Sequence, residues 1–312
     1  MKDLRPETAD NTTPYLRGAV YGVAAVSIWA GWMAITRLGV TTNLDSWDIA
    51  ALRFGVAGLL LSPVIMRHGF ALDQLGLARL LLLISGAGAP YAIIAASGLE
   101  FAPAADAGAL VPGVMPLFVA LLSSFFLSEK FSPNRKLGLL MILTGVIAIA
   151  GSSLMSAELN RSFGHAIFLC ASFLWAVFTI ILKWAKLSPL HATALVSVGS
   201  MIGYLPVYFA IAGTKLLDAP LSDLIIQSIY QGVFTTVVSL FLFGKAVSIL
   251  GASSGAAFGA LVPAMAALLA IPILGEFSKP VDWLGIITIS IGVFLASGGP
   301  LPQITNLKKS KS

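Results

Sequence analysis

The sequence contains ten stretches of about 20 residues that are apolar on every face. A helix needs about 20 such residues to cross about 30 Å of hydrocarbon, and in lipid each backbone N–H and C=O must be bonded within its own segment. A membrane barrel would show alternating segments of about ten residues instead. The sequence therefore predicts an all-α polytopic membrane protein with ten transmembrane helices. They lie at about 17–37, 48–66, 79–98, 104–127, 136–154, 163–183, 191–213, 225–244, 250–274 and 281–299.

The composition excludes several other classes of protein. The 312 residues are 57% hydrophobic and 11% charged, with a mean hydropathy of +0.92. Soluble domains carry about a quarter charged residues, and disordered chains combine high charge with low hydrophobicity. A single cysteine excludes an intrachain disulfide framework. The sequence contains no motif for metal binding, nucleotide binding or nucleophilic catalysis, so we expect no catalytic residue, metal or cofactor.

The basic residues predict the orientation in the membrane. If the N-terminus is cytoplasmic, 14 of the 19 Lys and Arg residues lie on the inner side, 4 lie on the outer side, and Arg53 lies within a span. Cytoplasmic loops of membrane proteins carry such an excess. The bias predicts that both termini are cytoplasmic and that the protein is multi-pass in the inner, cytoplasmic membrane. It also explains the net charge of +5, so no nucleic-acid partner is expected.

The chain contains an internal repeat. Residues 105–151 align with 252–298 without a gap, and sixteen of the 47 pairs are identical. A shift of 146 instead of 147 pairs Trp29 with Trp175. The repeat unit has five helices, and an odd unit enters the membrane from opposite sides in its two copies, as in the inverted repeats of secondary transporters. The predicted organisation is a tail at 1–16, a first repeat at 17–154, an external linker at 155–162, a second repeat at 163–299 and a tail at 300–312.

Short motifs in this layout resemble a known family. The first span contains IWA at 28–30, the second contains LRF at 52–54, and a Pro-to-Glu spacing of thirteen residues occurs at 116–129 and again at 263–276. In this order they resemble the EamA branch of the drug/metabolite transporter superfamily, with the aromatic amino acid exporters as the nearest analogy. The resemblance implies transport of small metabolites, often amino acids and often outward. It also implies a central cavity inside helices one to four and six to nine.

Two charged residues within the spans are candidate site residues. Arg53 could contact a substrate carboxylate or join a gate ion pair, or it could extend to the interface and pair with Asp48 or Asp45. Asp106, at the start of the fourth span, could cap its helix or form a proton or cation site in the cavity.

Glu129 and Glu276 occupy equivalent positions after the fourth and ninth spans. Each could cap the following helix or pair with a nearby base, such as Lys130 or Lys279. Alternatively, the two carboxylates could close the two mouths of the cavity in turn. We treat both as gate or structural candidates.

Aromatic and proline residues complete the candidate set. Aromatic walls suit apolar or cationic substrates, although such residues also serve in helix packing and interfacial belts. Prolines inside spans free a carbonyl that can line a cavity or permit bending. The aromatic candidates are Trp29, Trp32, Tyr91, Trp175, Tyr230, Phe234 and Phe258, and the prolines are Pro112 for the cavity and Pro116 and Pro263 for gating or structure.

The sequence thus predicts a secondary transporter that moves an amino acid or another small amphipathic compound by alternating access. Its expected partners are that small molecule and the lipid bilayer, and it is expected to be a monomer or weak homodimer. Two alternatives are a membrane-embedded enzyme acting on a lipid-like substrate and a membrane scaffold that transports nothing. The enzyme would need an acidic or histidine cluster at one interface.

Overall fold

The fold is known from a computed structural model that describes residues 12–211, 215–251 and 257–298. Within these ranges the chain is helical and contains no strand, which confirms the predicted fold class. Nine helices are long and apolar enough to span a membrane, and a tenth apolar helix has 17 residues. They are α1 (Thr12–Val40), α2 (Ser46–His68), α3 (Leu72–Phe101), α4 (Ala104–Phe126), α5 (Pro133–Met155), α6 (Leu159–Ala185), α7 (Pro189–Ile211), α8 (Leu221–Leu250), α9 (Ala257–Leu274) and α10 (Pro280–Ala296).

Several helix ends differ from the predicted windows. The helical segment of α3 begins at Leu72, seven residues before the predicted start, but its first turn is separated from the rest by a kink at Gly76, whose φ of 67° and ψ of 164° are not helical. Residues 12–16, predicted as tail, already belong to the first helix. The rest of that tail and the tail at 300–312 lie outside the described residues.

Two spans are interrupted at corresponding places. Helix α4 breaks into a turn at residues 111–114, which contains Pro112, and Pro116 starts its second part. Helix α9 contains a turn at residues 260–261, and Pro263 starts its second part. Proline lacks the N–H that an interior helical position must donate but is well accepted in a first turn. The prolines thus fix where each span restarts.

Helices α5 and α10 pack through glycines that the repeat relates to one another. A Cβ on Gly138 would lie 2.6 Å from the Gly292 carbonyl oxygen, and one on Gly145 would lie 2.7 Å from the Gly285 carbonyl oxygen. The 147-residue shift converts Gly138 into Gly285 and Gly145 into Gly292, so each contact becomes the other. Close backbone approach through small residues is a common mode of packing between membrane helices.

The contacting pairs also show that the two halves are inverted. Along α5 the contacts move from Gly138 to Gly145 while along α10 they move from Gly292 to Gly285, so these equivalent helices are antiparallel. Helices α2 and α7 are antiparallel as well, because α7 ends where α2 begins: the Tyr208 hydroxyl donates to Asp48 there. Equivalent helices of opposite direction are the mark of an inverted repeat.

The bundle has two ends, which we name by a residue at each. The Arg37 end contains the last turn of α1, where Arg37 donates to the Ala102 carbonyl at 2.9 Å. At the same end, Asn43 donates to Asp223 at the start of α8 at 2.6 Å. The Lys183 end contains the last turn of α6.

Candidate functional site

The candidate site is a cavity of about 210 Å³ between the two halves. Its walls come from α1, α2 and α3 of the first half and from α6, α7 and α8 of the second. Arg53 contributes to one end of the cavity. It lies seven residues after the start of α2, which corresponds to about 10 Å from the Arg37 end at a helical rise of about 1.5 Å per residue. Leu182 and Pro189 contribute to the other end, beside the α6–α7 loop. The cavity therefore runs from the membrane interior to the Lys183 end.

Arg53 is the one charged residue among the described residues that line this cavity. Its side chain is 8% exposed, and its Nε has no hydrogen-bond partner among the described residues. The guanidinium lies over aromatic rings, with Cζ 5.7 Å from the Trp32 ring centroid and 5.4 Å from that of Phe54. Such cation–π contacts stabilise a cation but leave its N–H groups available to a hydrogen-bond acceptor.

Arg53 does not pair with either nearby aspartate. Asp45 accepts hydrogen bonds from the backbone N–H groups of Trp47 and Asp48 and caps α2. Asp48 accepts hydrogen bonds from Tyr208 and from the Asp45 backbone. The alternative of an arginine that extends to these carboxylates is therefore absent from this conformation, because both acids are occupied.

Trp29 and Trp175, which the repeat pairs, both line the cavity. The Trp29 indole donates to Ser239 of α8 at 2.9 Å, which fixes its ring in the wall. Trp175 packs edge-on against Tyr91, with ring centroids 4.8 Å apart. Part of the opposite wall comes from a π-helical segment of α8, residues 228–238, which contributes Thr235. π-Helical turns are rare and are frequently found at functional sites.

The other aromatic candidates and Pro112 lie outside the described cavity lining. Trp32 donates to Gln231 at 2.6 Å and joins α1 to α8, while Tyr91 stacks on Trp32 beside the cavity. Tyr230 donates to the Ile28 carbonyl at 3.1 Å. Phe234 is exposed on the surface of α8, Phe258 packs near Gly22 of α1, and Pro112 lies in the α4 break.

A buried ion cluster joins the two halves at the Arg37 end. Arg161 of α6 donates to both carboxylate oxygens of Asp106, at 2.7 and 2.9 Å, and to Asp282 of α10 at 2.8 Å. His165 contacts the same Asp106 at 2.7 Å. Asp106 is 1% exposed. It does not cap its helix, since the first turn of that helix has no side-chain cap. Asp106 thus serves in an ion pair between α4 and α6, not in the cavity wall.

Arg37 and Glu276 form a further ion pair at the same end. Arg37 donates to Glu276 and to the carbonyls of Leu99 and Ala102. The second oxygen of Glu276 accepts from the Ala104 backbone N–H at 3.0 Å. Helices α1, α3, α4 and α9 are thus tied together.

On the surface of the same end, Glu158 bonds to Lys279 and Arg161. The hydrogen bond from Lys279 is the first cause of a lowered pKa of the Glu158 carboxyl, followed by that from Arg161. Glu158 therefore stays ionised beside the cluster at neutral pH.

The Lys183 end is held more loosely. Glu129 accepts from Arg135 at 2.8 Å through one oxygen. Its other oxygen has no hydrogen-bond partner among the described residues and lies 3.7 Å from the Lys183 ammonium. The hydrogen bond from Arg135 is the first cause of a lowered pKa of the Glu129 carboxyl. Among the described residues Glu129 pairs with Arg135 and Glu276 with Arg37, and neither pairs with the example base named from the sequence, Lys130 or Lys279.

Several residues of these ion pairs were not assigned a role from the sequence, among them Arg37, Arg161, His165 and Asp282. A signal was present for Arg37, since the 146-residue shift that pairs the cavity tryptophans also pairs Arg37 with Lys183. The signal for Arg161 and Asp282 was their position, since each is a charged residue two positions after the start of an apolar helix.

Two further observations bound the site. A larger groove of about 520 Å³ between α3 and α7 is lined by apolar residues, Ser200, Trp47 and Tyr204 and has no charged group among its lining residues. Nowhere in the described ranges do three or more His, Cys, Asp or Glu side chains come together to hold a metal ion. Of these two cavities, the one lined by Arg53 is therefore the one with a charged residue among its described lining residues.

Comparison with known proteins places the chain in a family. The model of the EamA-like transporter family matches it twice, at residues 16–151 and 162–298. The uncharacterized transporter YetK of Bacillus subtilis is 24% identical over 89% of this chain and 86% of its own. The uncharacterized inner membrane transporter YedA of Escherichia coli is 24% identical over 91% of each chain.

An uncharacterized transporter of Archaeoglobus fulgidus is 27% identical over 86% of this chain and 93% of its own. One solved structure shares the fold, with a TM-score of 0.58 and 17% identity over 89% of this chain and 96% of its own. The two family matches cover the two halves whose inversion the helix contacts show. The chain is therefore a multi-pass inner membrane protein that belongs to the EamA-like transporter family.

Proposed function

We propose that the protein is a secondary transporter that exports a small amphipathic metabolite, such as an amino acid or a related compound, by alternating access. It acts as a monomer or weak homodimer. The observation that carries the proposal is an asymmetry between the ends of a symmetric bundle. Buried ion pairs seal the Arg37 end, while a cavity lined by Arg53, whose Nε has no partner among the described residues, reaches the Lys183 end.

The asymmetry is clearest in two ion pairs that the repeat relates. We call Arg37–Glu276 the Arg37 latch and Lys183–Glu129 the Lys183 latch. The repeat converts Arg37 into Lys183 and Glu276 into Glu129, so the latches are copies at opposite ends. The Arg37 latch is closed by direct hydrogen bonds, whereas the charges of the Lys183 latch are 3.7 Å apart.

Inverted symmetry supports a second conformation in which the two latches exchange states. Each half can adopt the arrangement now seen in the other half, because the halves share one architecture. In the exchanged conformation the Lys183 latch is closed and the Arg37 latch is open. The cavity then reaches the Arg37 end, and Arg53 is accessible from the other side of the membrane.

The positive-inside bias supports the direction. We infer from it that the Lys183 end, with Lys130, Arg135, Lys183 and Lys186, faces the cytoplasm. The present conformation is then open to the cytoplasm and ready to receive an intracellular compound. We propose Trp29, Arg53 and Trp175 as residues that contact it.

Flux through the purified protein in liposomes tests the proposal. We expect efflux of radiolabelled phenylalanine or 3-phenylpropionate to saturate with concentration and to accelerate when the unlabelled compound is present on the opposite side. Protein-free liposomes and a Lys130→Gln variant, which changes an exposed charge beside Glu129, serve as controls. Flux that rises linearly with concentration, or that equals the protein-free rate for both compounds, contradicts alternating access.

A further inference from the structure

Three polar groups without partners line the same cavity. They are Arg53 Nε, Ser197 Oγ and Thr235 Oγ1, none of which has a hydrogen-bond partner among the described residues. They come from three helices, α2, α7 and α8, and thus from both halves. Ser197 is 1% exposed, so the protein itself keeps it from bulk water.

Such a grouping is costly in a membrane protein. A buried charge without a counter-ion and buried hydroxyls without partners each lose their hydration. Arg161, the other buried arginine among the described residues, is fully paired and binds two aspartates. A buried unsatisfied group in a native protein calls for an explanation, and here three such groups surround one space.

Their chemistry defines the missing partner. A guanidinium binds a carboxylate through two parallel N–H···O bonds, and the hydroxyls of Ser197 and Thr235 can donate to the same anion. We propose that Arg53, Ser197 and Thr235 bind the carboxylate of a monoanionic organic acid with an apolar body. This inference rests on the proposed function and narrows the compound transported from an amino acid or related compound to an acid without an ammonium group.

The rest of the lining supports a monoanion over a cation, a zwitterion or a phosphate. No acidic residue is among the lining residues, so an ammonium group would find no counter-ion. The nearby aspartates are occupied, Asp45 by the α2 cap and Asp48 by Tyr208. A single arginine balances one negative charge and would leave a phosphate dianion partly uncompensated.

The walls and the size define the body of the compound. Trp29, Trp175 and Phe178 provide apolar and aromatic surface beside Arg53. The volume of about 210 Å³ is below the range of about 300–1,000 Å³ typical of sites for drug-sized ligands. A small acid with a short aliphatic or single aromatic body fits these limits.

Binding of a matched series tests the inference. The series consists of 3-phenylpropionate, 3-phenylpropionamide, 3-phenylpropylamine and phenylalanine, with butyrate as a smaller acid. Thermal unfolding and quenching of tryptophan fluorescence report binding to the purified full-length protein. We expect at least one acid to bind, and the amide and the amine to bind about ten- to hundredfold more weakly, as the loss of a charge-assisted hydrogen bond implies.

Variants then locate the carboxylate. Arg53→Gln should remove the preference for acid over amide, and Arg53→Lys should keep part of it, because lysine retains the charge but not the two-pronged geometry. Ser197→Ala should weaken the acid several-fold. Ser172→Ala is the matched control, because Ser172 is also a buried serine without a partner but lies outside the cavity lining.

The outcomes separate this inference from the proposed function. If neither acid binds, if the amide or amine binds as tightly as the acid, or if Arg53→Gln and Arg53→Lys both keep the full preference for acid, the carboxylate site is overturned. Saturable flux of another compound would leave transport intact in that case. If the acid binds through Arg53 but liposomes show no flux, the site stands and transport falls.

Discussion

At the scale of single residues, two buried arginines in this bundle have opposite surroundings. Arg161 binds Asp106 and Asp282, which are 1% and 2% exposed. Arg53 has aromatic neighbours and makes no ion pair with a carboxylate in the part of the chain that the structure describes. Burial of an ion is tolerated when hydrogen-bonded counter-ions surround it. Arg161 therefore has the partners expected of a structural residue. Arg53 has an Nε–H without an acceptor among the described residues, as expected of a binding residue.

We predict that Arg161→Gln destabilises the protein severely. The substitution leaves the carboxylates of Asp106 and Asp282 buried without their counter-ion, which costs about 3–5 kcal/mol in comparable cases. Arg135→Gln is the matched control, because Arg135 also binds a glutamate but at a partly exposed site, where such a pair contributes about 1 kcal/mol or less. Thermal unfolding in detergent measures both. Equal stability of the two variants would show that the Arg161 cluster does not hold the Arg37 end together.

At the scale of helices, most of the architecture could be predicted from the sequence. The length of the apolar stretches predicted the ten spans, and the gapless repeat predicted the inversion. Both predictions depend only on composition and spacing along the chain. Pro112 and Pro116 marked the break in α4. The ion pairs could not be predicted in the same way, because Arg37 meets Glu276 across 239 positions of chain and Arg161 meets Asp282 across 121. Only the packing of the helices decides which charges become neighbours.

Helix packing between α5 and α10 leads to a second prediction. Gly145→Ala would place a Cβ 2.6 Å from Ile289 Cγ1 and 2.7 Å from the Gly285 carbonyl oxygen, and overpacking of this kind costs about 1–3 kcal/mol. Gly292→Ala should act alike, because the repeat converts Gly145 into Gly292 and a Cβ there would lie 2.7 Å from the Gly138 carbonyl oxygen. The resistance of the purified protein to thermal unfolding gives the comparison.

Gly151→Ala is the control in the same helix, because a Cβ there would have no atom within 4 Å. It should leave the stability unchanged. Loss of stability in the control, or none in Gly145→Ala, would contradict the glycine contact between the repeats.

At the scale of the whole molecule, the two inverted halves enclose a cavity. The two related latches lie at opposite ends of the bundle, and the Arg37 latch is closed while the Lys183 latch is not. The related positions of Arg37 and Lys183 and of Glu276 and Glu129 mean that one rearrangement can close one latch as it opens the other. In the proposed mechanism, a ligand that binds Arg53 contacts helices of both halves and biases this equilibrium, so the movement of the halves couples the proposed binding site to the proposed gates.

The most direct measurement is of the distances across both ends in the same preparation. Spin labels at Thr41 and Phe277 report the Arg37 end, and labels at Lys130 and Lys186 report the Lys183 end; all four side chains are exposed. The native thiol is first removed by Cys170→Ala. Pulsed electron spin resonance in lipid nanodiscs then gives the population of each state.

We predict that Glu276→Gln lengthens the Thr41–Phe277 distance and shortens the Lys130–Lys186 distance. The loss of a charge-assisted pair should shift the ratio of the two states by about five- to 150-fold, or about 1–3 kcal/mol. Glu129→Gln should shift it in the opposite direction. Distances that change at one end alone, or that move in the same sense in both variants, would contradict two halves that open the cavity to one side at a time.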